Sequence, residues 1–188
     1  MNVQLPGHPK RRKKLIIGLI VIAVAIIIVI NSVSMTFALS IRSYRISGQS
    51  MEPGLHPGQV VFISSFTYEV IKPTRGDLVI FHLPLSTTNP CQTFTSPDMI
   101  VIKRVIGIPG DTISVKSTAV VINGSVLNEP YLATDSNGVK ENSLTIPGLT
   151  LGPDQYFLMG DNRPISEDSR CYGPVPLKNF IGKVMLIL

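Results

Sequence analysis

A serine and a lysine in this sequence could together carry out nucleophilic catalysis without a histidine. Ser50 lies in the segment SGQSMEP at residues 47–53, and Lys103 ends the apolar run MIVI at residues 99–102. A serine hydroxyl is a weak nucleophile until a neighbouring base takes its proton. A lysine can be that base only where apolar surroundings lower its pKa from about 10.4. The run before Lys103 predicts an apolar strand, so the pair indicates acyl transfer by a serine–lysine mechanism.

The other candidate nucleophiles and bases fit catalysis less well. The chain has three histidines, at positions 8, 56 and 82, and none is accompanied by the carboxylate pattern of a Ser-His-Asp triad. Cys171 has no histidine near it in sequence. No His, Cys and Asp cluster occurs at metal-ligand spacing, so we expect neither a metal nor another cofactor.

A membrane anchor is predicted ahead of the serine. Residues 10–14 are all Lys or Arg, and no charged residue occurs from there until Arg42. About 20 apolar residues span a bilayer, and basic residues favour the cytoplasmic side. We therefore expect a cytoplasmic basic tail (1–14), a transmembrane anchor (15–39) and an extracytoplasmic domain (40–188). A cleaved signal peptide is the alternative, but its apolar region is typically shorter and ends at a small-residue site.

The charge of the chain is concentrated in that tail. The 188 residues carry 17 Lys and Arg against 12 Asp and Glu, a net charge of +5. Five of the basic residues lie at 10–14, so the remaining 12 balance the 12 acids. Because no basic face with interleaved aromatics follows, a nucleic-acid partner is not expected. The basic tail indicates a lipid bilayer as the partner instead.

Residues 50–188 read as one β-rich domain of antiparallel strands, a barrel or a sandwich. Short β-branched or aromatic runs bounded by turn residues predict strands, at 60–63, 77–81, 99–102, 112–115, 156–159 and 182–188. Residues 120–127 predict a hairpin that turns at Asn-Gly. We expect residues 40–49 to be a juxtamembrane link, and 83–97 and 133–143 to be surface loops. A disulfide between Cys91 and Cys171 is allowed in an exported domain, but the sequence leaves it open.

The segment GDNRPISEDSR at residues 160–170 predicts a rigid loop that supports a site. It contains both charge signs together with Asn, Ser and Pro. Such residues form internal ion pairs and side-chain-to-backbone hydrogen bonds that fix an irregular backbone. A solvated surface loop is the alternative.

Four blocks together resemble the bacterial type I signal peptidases, which are membrane-bound Ser-Lys endopeptidases. The blocks are 47–53, 75–81 (RGDLVIF), 103–111 (KRVIGIPGD) and 160–170. They occur in the order of the family behind one anchor, and they cover most of residues 42–184.

The resemblance implies a role for each matching residue. Ser50 is expected to be the nucleophile, Lys103 the general base, and Ser166 a hydrogen-bond partner that orients the lysine. Supporting residues are expected at Asp161, Asp168 and Arg170, the last two as an ion pair. Small substrate pockets, which give the family its Ala-x-Ala preference, are expected to be lined by Ile46, Met51, Leu55 and Ile102.

The sequence also departs from the family pattern at two positions. Some members have a serine two residues before the nucleophile, where its hydroxyl joins the oxyanion hole, and here that residue is Gly48. The hole is therefore expected to depend on backbone N–H groups, chiefly that of Ser50. Gly54 replaces the usual threonine, which we expect to be a structural change.

The function implied by the resemblance is removal of signal peptides from secretory preproteins through an acyl-enzyme. The enzyme would lie in the cell membrane near the secretion translocon. Because Ser50 is eight residues from Arg42, at most ~28 Å extended, its site would stay near the outer surface. Two alternatives remain: an organellar inner-membrane peptidase of the same family, and a non-catalytic anchored β domain, which would be expected to lack Ser50 or Lys103. A self-cleaving repressor would need a DNA-binding helix pair, and the sequence predicts none.

Overall fold

The computed structural model describes residues 9–84, 99–116, 119–132 and 144–188. These residues belong to two compact units, Met1–Ser40 and Ile41–Leu188. The predicted loop at 133–143 lies outside the described residues, as does the loop at 83–97 apart from its first two residues. The boundaries 1–14, 15–39 and 40–188 remain predictions.

The first unit contains one long helix, α1 (Pro9–Leu39). Its segment Arg12–Thr36 has 25 residues with a hydropathy of 3.1, long and apolar enough to cross a membrane. At 1.5 Å per residue this segment is ~37 Å long, against about 30 Å of hydrocarbon. Its polar side chains hydrogen-bond to carbonyls one turn earlier: Asn31 to Ile27 O, and Thr36 to Ser32 O. The helix therefore satisfies these polar groups internally.

The second unit consists mainly of antiparallel strands. In chain order they are β1 (Ile41–Arg45), β2 (Val60–Ser64), β3 (Leu78–His82), β4 (Ile100–Gly107), β5 (Thr112–Lys116), β6 (Ala119–Ile122), β7 (Ser125–Val126), β8 (Ile146–Thr150), β9 (Gln155–Met159), β10 (Val175–Pro176) and β11 (Phe180–Ile187). The larger sheet has the order β1-β2-β11-β3-β4-β9-β10, and the smaller has β7-β6-β5-β8. The short helices are α2 (Thr67–Val70), α3 (Ser169–Tyr172) and a 3-10 helix at Leu177–Asn179. The prediction of a mainly β, antiparallel domain is confirmed.

Both faces of the central strands are buried. In β9, Tyr156 and Leu158 pack with Val79 of β3, whereas Phe157 and Met159 pack into a second cluster with residues of the smaller sheet. This division follows from the alternation of side chains along a strand. A strand held from both sides gives the residues of its neighbour β4 a fixed position, and β4 contains Lys103.

Two sequence-based predictions of local structure were wrong. Residues 41–45 form the edge strand β1 rather than a link, paired with β2 along its whole length. Their sequence, IRSYR, has few apolar residues because an edge strand is covered on fewer sides. The strand predicted at 99–102 does not stop before Lys103, which is the fourth of eight residues in β4. The strand continues through Arg104, whose charge is paired with Asp161.

The predicted hairpin at residues 120–127 is confirmed. Strands β6 and β7 pair on either side of Asn123 and Gly124. These two residues have φ values of 52° and 82°. Positive φ at both central positions is the signature of the tight turn that Asn-Gly favours.

Candidate active site

Ser50 lies in a turn between β1 and β2 that is held in place by a buried apolar cluster. Met51 and Leu55, which follow it, are 1% and 0% exposed. They pack with Ile46 and with residues of β2 and β3. Leu55 N also donates a hydrogen bond to Met51 O at 2.8 Å. The apolar residues around the serine therefore fix the backbone from which its hydroxyl projects.

Lys103 reaches that hydroxyl from the middle of β4. Its Nζ donates a hydrogen bond to Ser50 Oγ at 2.6 Å. The side chain is 4% exposed, and within the described parts of the chain no carboxylate lies within 4.0 Å of Nζ. Burial lowers the pKa of Lys103 from 10.5 to about 8, although the charge of Asp168 acts in the opposite direction. This lysine is therefore placed, and its pKa shifted, as a base for Ser50 requires.

The loop at 160–170 contacts the serine through backbone groups. Asn162 N donates to Ser50 O at 3.0 Å. The loop is closed on itself by Asp168, whose Oδ2 accepts from Gly160 N at 3.1 Å. Arg170 donates to both carboxylate oxygens of Asp168 at 2.8 Å, and both side chains are buried. The structure thus forms the ion pair expected at these two positions, beside the serine.

Asp161 ties the same loop to β4. Its two oxygens accept from Arg104 Nε at 2.8 Å and from Arg104 Nη2 at 2.6 Å, and its side chain is fully buried. A bidentate pair of this kind fixes orientation as well as distance. Because Arg104 is the neighbour of Lys103 in β4, the pair holds the loop in register with the strand that carries the lysine.

Ser166 lies close to Ser50 and Lys103 but makes no hydrogen bond to either of them. Its side chain is fully buried, and its Oγ has no hydrogen-bond partner among the described residues. A Cβ added at Gly160 would lie 2.2 Å from Ser166 Oγ and 2.4 Å from Ser50 O. The loop thus brings Ser166 next to the serine backbone, while the expected hydrogen bond to Lys103 is not formed in this structure.

A groove of about 410 Å³ opens at Ser50 and Lys103. Two of the four predicted pocket residues, Ile46 and Ile102, line it. Met51 and Leu55 do not, because they are buried in the apolar cluster beneath the serine turn. The other lining residues are Tyr44, Arg45, Ser47, Gly48, Gln49, Ile80, Met99, Ile100, Val101, Ile165 and Glu167.

Backbone groups at the serine can supply an oxyanion hole. Ser50 N–H donates to no acceptor in the described residues, so it is free to bind a developing negative charge. Gly48 also lines the groove, and a Cβ added there would meet nothing within 4 Å. The position that carries a hydroxyl in some family members is therefore open space here.

The described residues that line this groove include no cysteine and no group of potential metal ligands. Cys171 is disulfide-bonded, and Cys91, the only other cysteine of the sequence, lies outside the described residues. Where the structure describes the chain, no three His, Cys, Asp or Glu residues are grouped so as to hold a metal ion. His56 lies on the surface, 3.6 Å from Glu52.

Comparison with known proteins agrees with the four sequence blocks. Residues 15–188 match the sequence model of a family described as signal peptidase, peptidase S26. The chain belongs to this signal peptidase family. It is thus an enzyme, a serine peptidase, and the resemblance drawn from the sequence is confirmed.

The relatives of this signal peptidase cover most of its length. It is 32% identical over 150 residues to signal peptidase I of Bacillus caldolyticus, covering 76% of each chain. It is 30% identical over 185 residues to signal peptidase IB of Staphylococcus aureus, covering 92% of this chain and 88% of that one. A crystal structure of a signal peptidase I from Enterococcus faecalis is 31% identical and covers 62% of this chain and 99% of that one, with a TM-score of 0.44.

Sequence reasoning gave no reason for two glycines of the signal peptidase site. Gly160 must lack a side chain because Ser50 O and Ser166 occupy that space. A Cβ at Gly54 would lie 2.8 Å from Asp161 Oδ2 and 3.7 Å from Arg104 Nη2. Gly54 thus leaves room for the Arg104–Asp161 pair, which gives the expected structural meaning of this departure from the family pattern. Neither contact leaves a signal in the local sequence.

Proposed function

We propose that this signal peptidase is a membrane-anchored Ser-Lys endopeptidase that removes N-terminal signal peptides from secretory preproteins after Ala-x-Ala. The observation that carries the proposal is the 2.6 Å contact between Lys103 Nζ and Ser50 Oγ. Lys103 is buried and has no acidic partner within 4.0 Å in the described residues. A buried lysine without an acidic partner does not stabilise the fold through an ion pair, whereas it is suited to activating a serine.

In the proposed reaction, neutral Lys103 accepts the proton of Ser50 as Oγ attacks the carbonyl carbon of the scissile bond. The Ser50 N–H stabilises the oxyanion that forms. The lysine ammonium then protonates the leaving amine, which departs as the new N-terminus of the mature protein. Neutral Lys103 next takes a proton from water, whose oxygen attacks the acyl carbon. The bond between that carbon and Ser50 Oγ breaks, the signal peptide leaves with a free carboxyl terminus, and Lys103 returns the proton to Ser50. We assign Asp161, Asp168 and Arg170 the role of holding the loop. Ser166, whose Oγ makes no hydrogen bond in this structure, is assigned the role of orienting Lys103 when substrate is bound.

The walls of the groove support a preference for small residues. Ile46 and Ile102, both β-branched, line it beside Ser50. Branched side chains close to the nucleophile leave room for a methyl group more easily than for a long side chain. Met51 and Leu55 contribute indirectly, because they support Ile46 from below. The preference for alanine before the cut, and for another small residue two positions further upstream, is thus assigned to Ile46 and Ile102.

The proposed setting is the cell membrane, with α1 as a single span. The basic residues at 10–14 favour a cytoplasmic N-terminus, which leaves Ile41–Leu188 outside. Signal peptides emerge on that side during export. Lipid and the preprotein are then the partners of the enzyme, and the secretion translocon is its neighbour.

The test uses the full chain solubilised in detergent and a preprotein with an Ala-x-Ala site. We expect the parent to cut after the second alanine, and Ser50→Ala and Lys103→Ala to lose at least ~1000-fold in rate. Matched controls are Ser125→Ala and Lys116→Ala, both exposed at strand ends and expected to retain full rate. Changing the alanine before the cut to leucine is expected to stop cleavage. Full activity of a folded Lys103→Ala enzyme would show that another group is the base.

A further inference from the structure

Two residues outside the four family blocks contact arginines that hold the loop at 160–170 and strand β4 in place. These residues, Glu129 and Tyr131, follow β7, and they contact Arg163 and Arg104 respectively. Arg163 Nη1 donates to Glu129 Oε2 at 3.1 Å, and Arg163 Nη2 donates to Glu129 Oε1. The two side chains are only 5% and 4% exposed. The pair is therefore removed from solvent on both sides.

Arg163 passes this contact on to the loop that holds Ser50. Its Nε donates to Gly160 O at 3.0 Å, and its own carbonyl accepts from Arg170 Nη2 at 2.8 Å. Gly160 is the residue whose Cα faces both Ser50 O and Ser166. The carboxylate of Glu129 is thus two hydrogen bonds away from the backbone that packs against the nucleophile.

Tyr131 makes a second connection, to β4. Its hydroxyl donates to Glu129 Oε1 at 2.7 Å, and the guanidinium carbon of Arg104 lies 4.2 Å from its ring centroid. Arg104 pairs with Asp161 and follows Lys103 in the strand. Burial, together with the bond to Glu129, raises the pKa of Tyr131, so that its hydroxyl stays a donor at any working pH.

The cost of burying this network suggests that it does more than stabilise the fold. A buried ion pair is often no more stabilising than apolar residues of the same volume. What it adds is a defined geometry, here between the strand of the base and the loop of the nucleophile. Misplacement of reacting groups by about 1 Å can cost a large factor in rate.

We propose that Glu129 and Tyr131 are positioning residues for the Ser50–Lys103 pair, acting through Arg163 and Arg104. The catalytic meaning of this inference rests on the proposed function, whereas its test does not. It is measured first as the rate at which a fluorophosphonate probe labels Ser50. In that reaction Ser50 Oγ displaces fluoride from phosphorus and the base takes the proton, so no preprotein is required.

The variants are chosen to separate position from stability. Tyr131→Phe keeps the ring beneath Arg104 and removes only the hydroxyl that orients Glu129. Its matched control is Tyr68→Phe, which removes a comparable bond, 3.3 Å long, to Asp77 in the main sheet region. The double variant Glu129→Leu with Arg163→Met replaces the buried pair by apolar residues, a change expected to preserve folding.

For a positioning role, Tyr131→Phe labels Ser50 about fivefold more slowly and the double variant at least about tenfold more slowly, with melting temperatures near that of the parent. In preprotein cleavage the same losses are expected in kcat, with KM unchanged. Tyr68→Phe is expected to match the parent in both assays. Parental labelling rates in the folded double variant would overturn the inference. If the parent labels at Ser50 but cuts no preprotein, the proposed function fails while the labelling rates still decide the role of Glu129 and Tyr131.

Discussion

The pH dependence of cleavage follows from the environment of Lys103. With a pKa of about 8, roughly a tenth of the lysine is neutral at pH 7 and roughly a hundredth at pH 6. An unperturbed lysine would be neutral in only ~0.03% of molecules at pH 7. Burial therefore raises the neutral, proton-accepting fraction of Lys103 by ~300-fold at neutral pH. We expect kcat/KM to rise tenfold per pH unit up to about 8, and then to level off.

The assay measures kcat/KM for a preprotein between pH 6 and pH 9.5, because this ratio reports the pKa values of the free enzyme. Circular dichroism at each pH checks that the fold is unchanged. His56→Gln and His82→Gln are the controls, because both histidines are exposed. A midpoint that changes in either histidine variant would refute the reasoning. So would a rate that is independent of pH from 6.5 to 9.

Three further substitutions test the same site. Lys103→Met is expected to abolish cleavage but to stabilise the fold at pH 7 by up to about 3 kcal/mol. This gain in stability shrinks as the pH rises from about 8 to 10.5, because in that range the lysine binds a proton only in the unfolded chain. Denaturant melts at pH 7 and pH 10 would show the difference. Gly48→Ser fits the open space at that position and places a hydroxyl in the groove. We therefore expect kcat to rise by up to ~10-fold with KM unchanged. A fall in kcat would show that the oxyanion forms elsewhere. Glu167→Gln removes a negative charge that raises the pKa of Lys103. The midpoint of the pH–rate profile should therefore move to lower pH, and the rate at pH 6.5 should increase. An upward shift of the midpoint would contradict the assignment of Lys103 as the base.

Local sequence patterns predicted the parts of the fold that depend on neighbours in the chain. The hairpin at Asn123-Gly124 and the strands β2, β3 and β9 are examples, since turn chemistry and side-chain alternation specify them. The edge strand β1 was missed because its polar sequence lacks that alternation. The run before Lys103 indicated an apolar strand, and the long-range pairing of Arg104 with Asp161 accommodates a second charged residue within it.

The site was predictable to a similar extent. Residue type and the resemblance to the signal peptidases singled out Ser50 and Lys103, which the structure brings to 2.6 Å from each other, and the loop at 160–170 was recognised by its mixture of charges. The burial of Met51 and Leu55 was not foreseen, because a position next to a nucleophile can face either the groove or the core. The Glu129–Arg163 pair joins residues 34 positions apart, and neither residue has a local pattern that announces the contact.

The close approach of Lys103 to Ser50 has a consequence for selective inhibition. Two nucleophilic atoms, a hydroxyl oxygen and an amine with a lowered pKa, lie 2.6 Å apart, and both residues line the groove of about 410 Å³. A ligand with a boronic acid and an adjacent aldehyde could form a boronate ester with Ser50 and an imine with Lys103 at the same time. Serine proteases that use histidine offer no amine at this distance, since their imidazole forms no imine. Such a bidentate compound would therefore distinguish the two classes of serine protease by the chemistry of the base rather than by the shape of the substrate pocket.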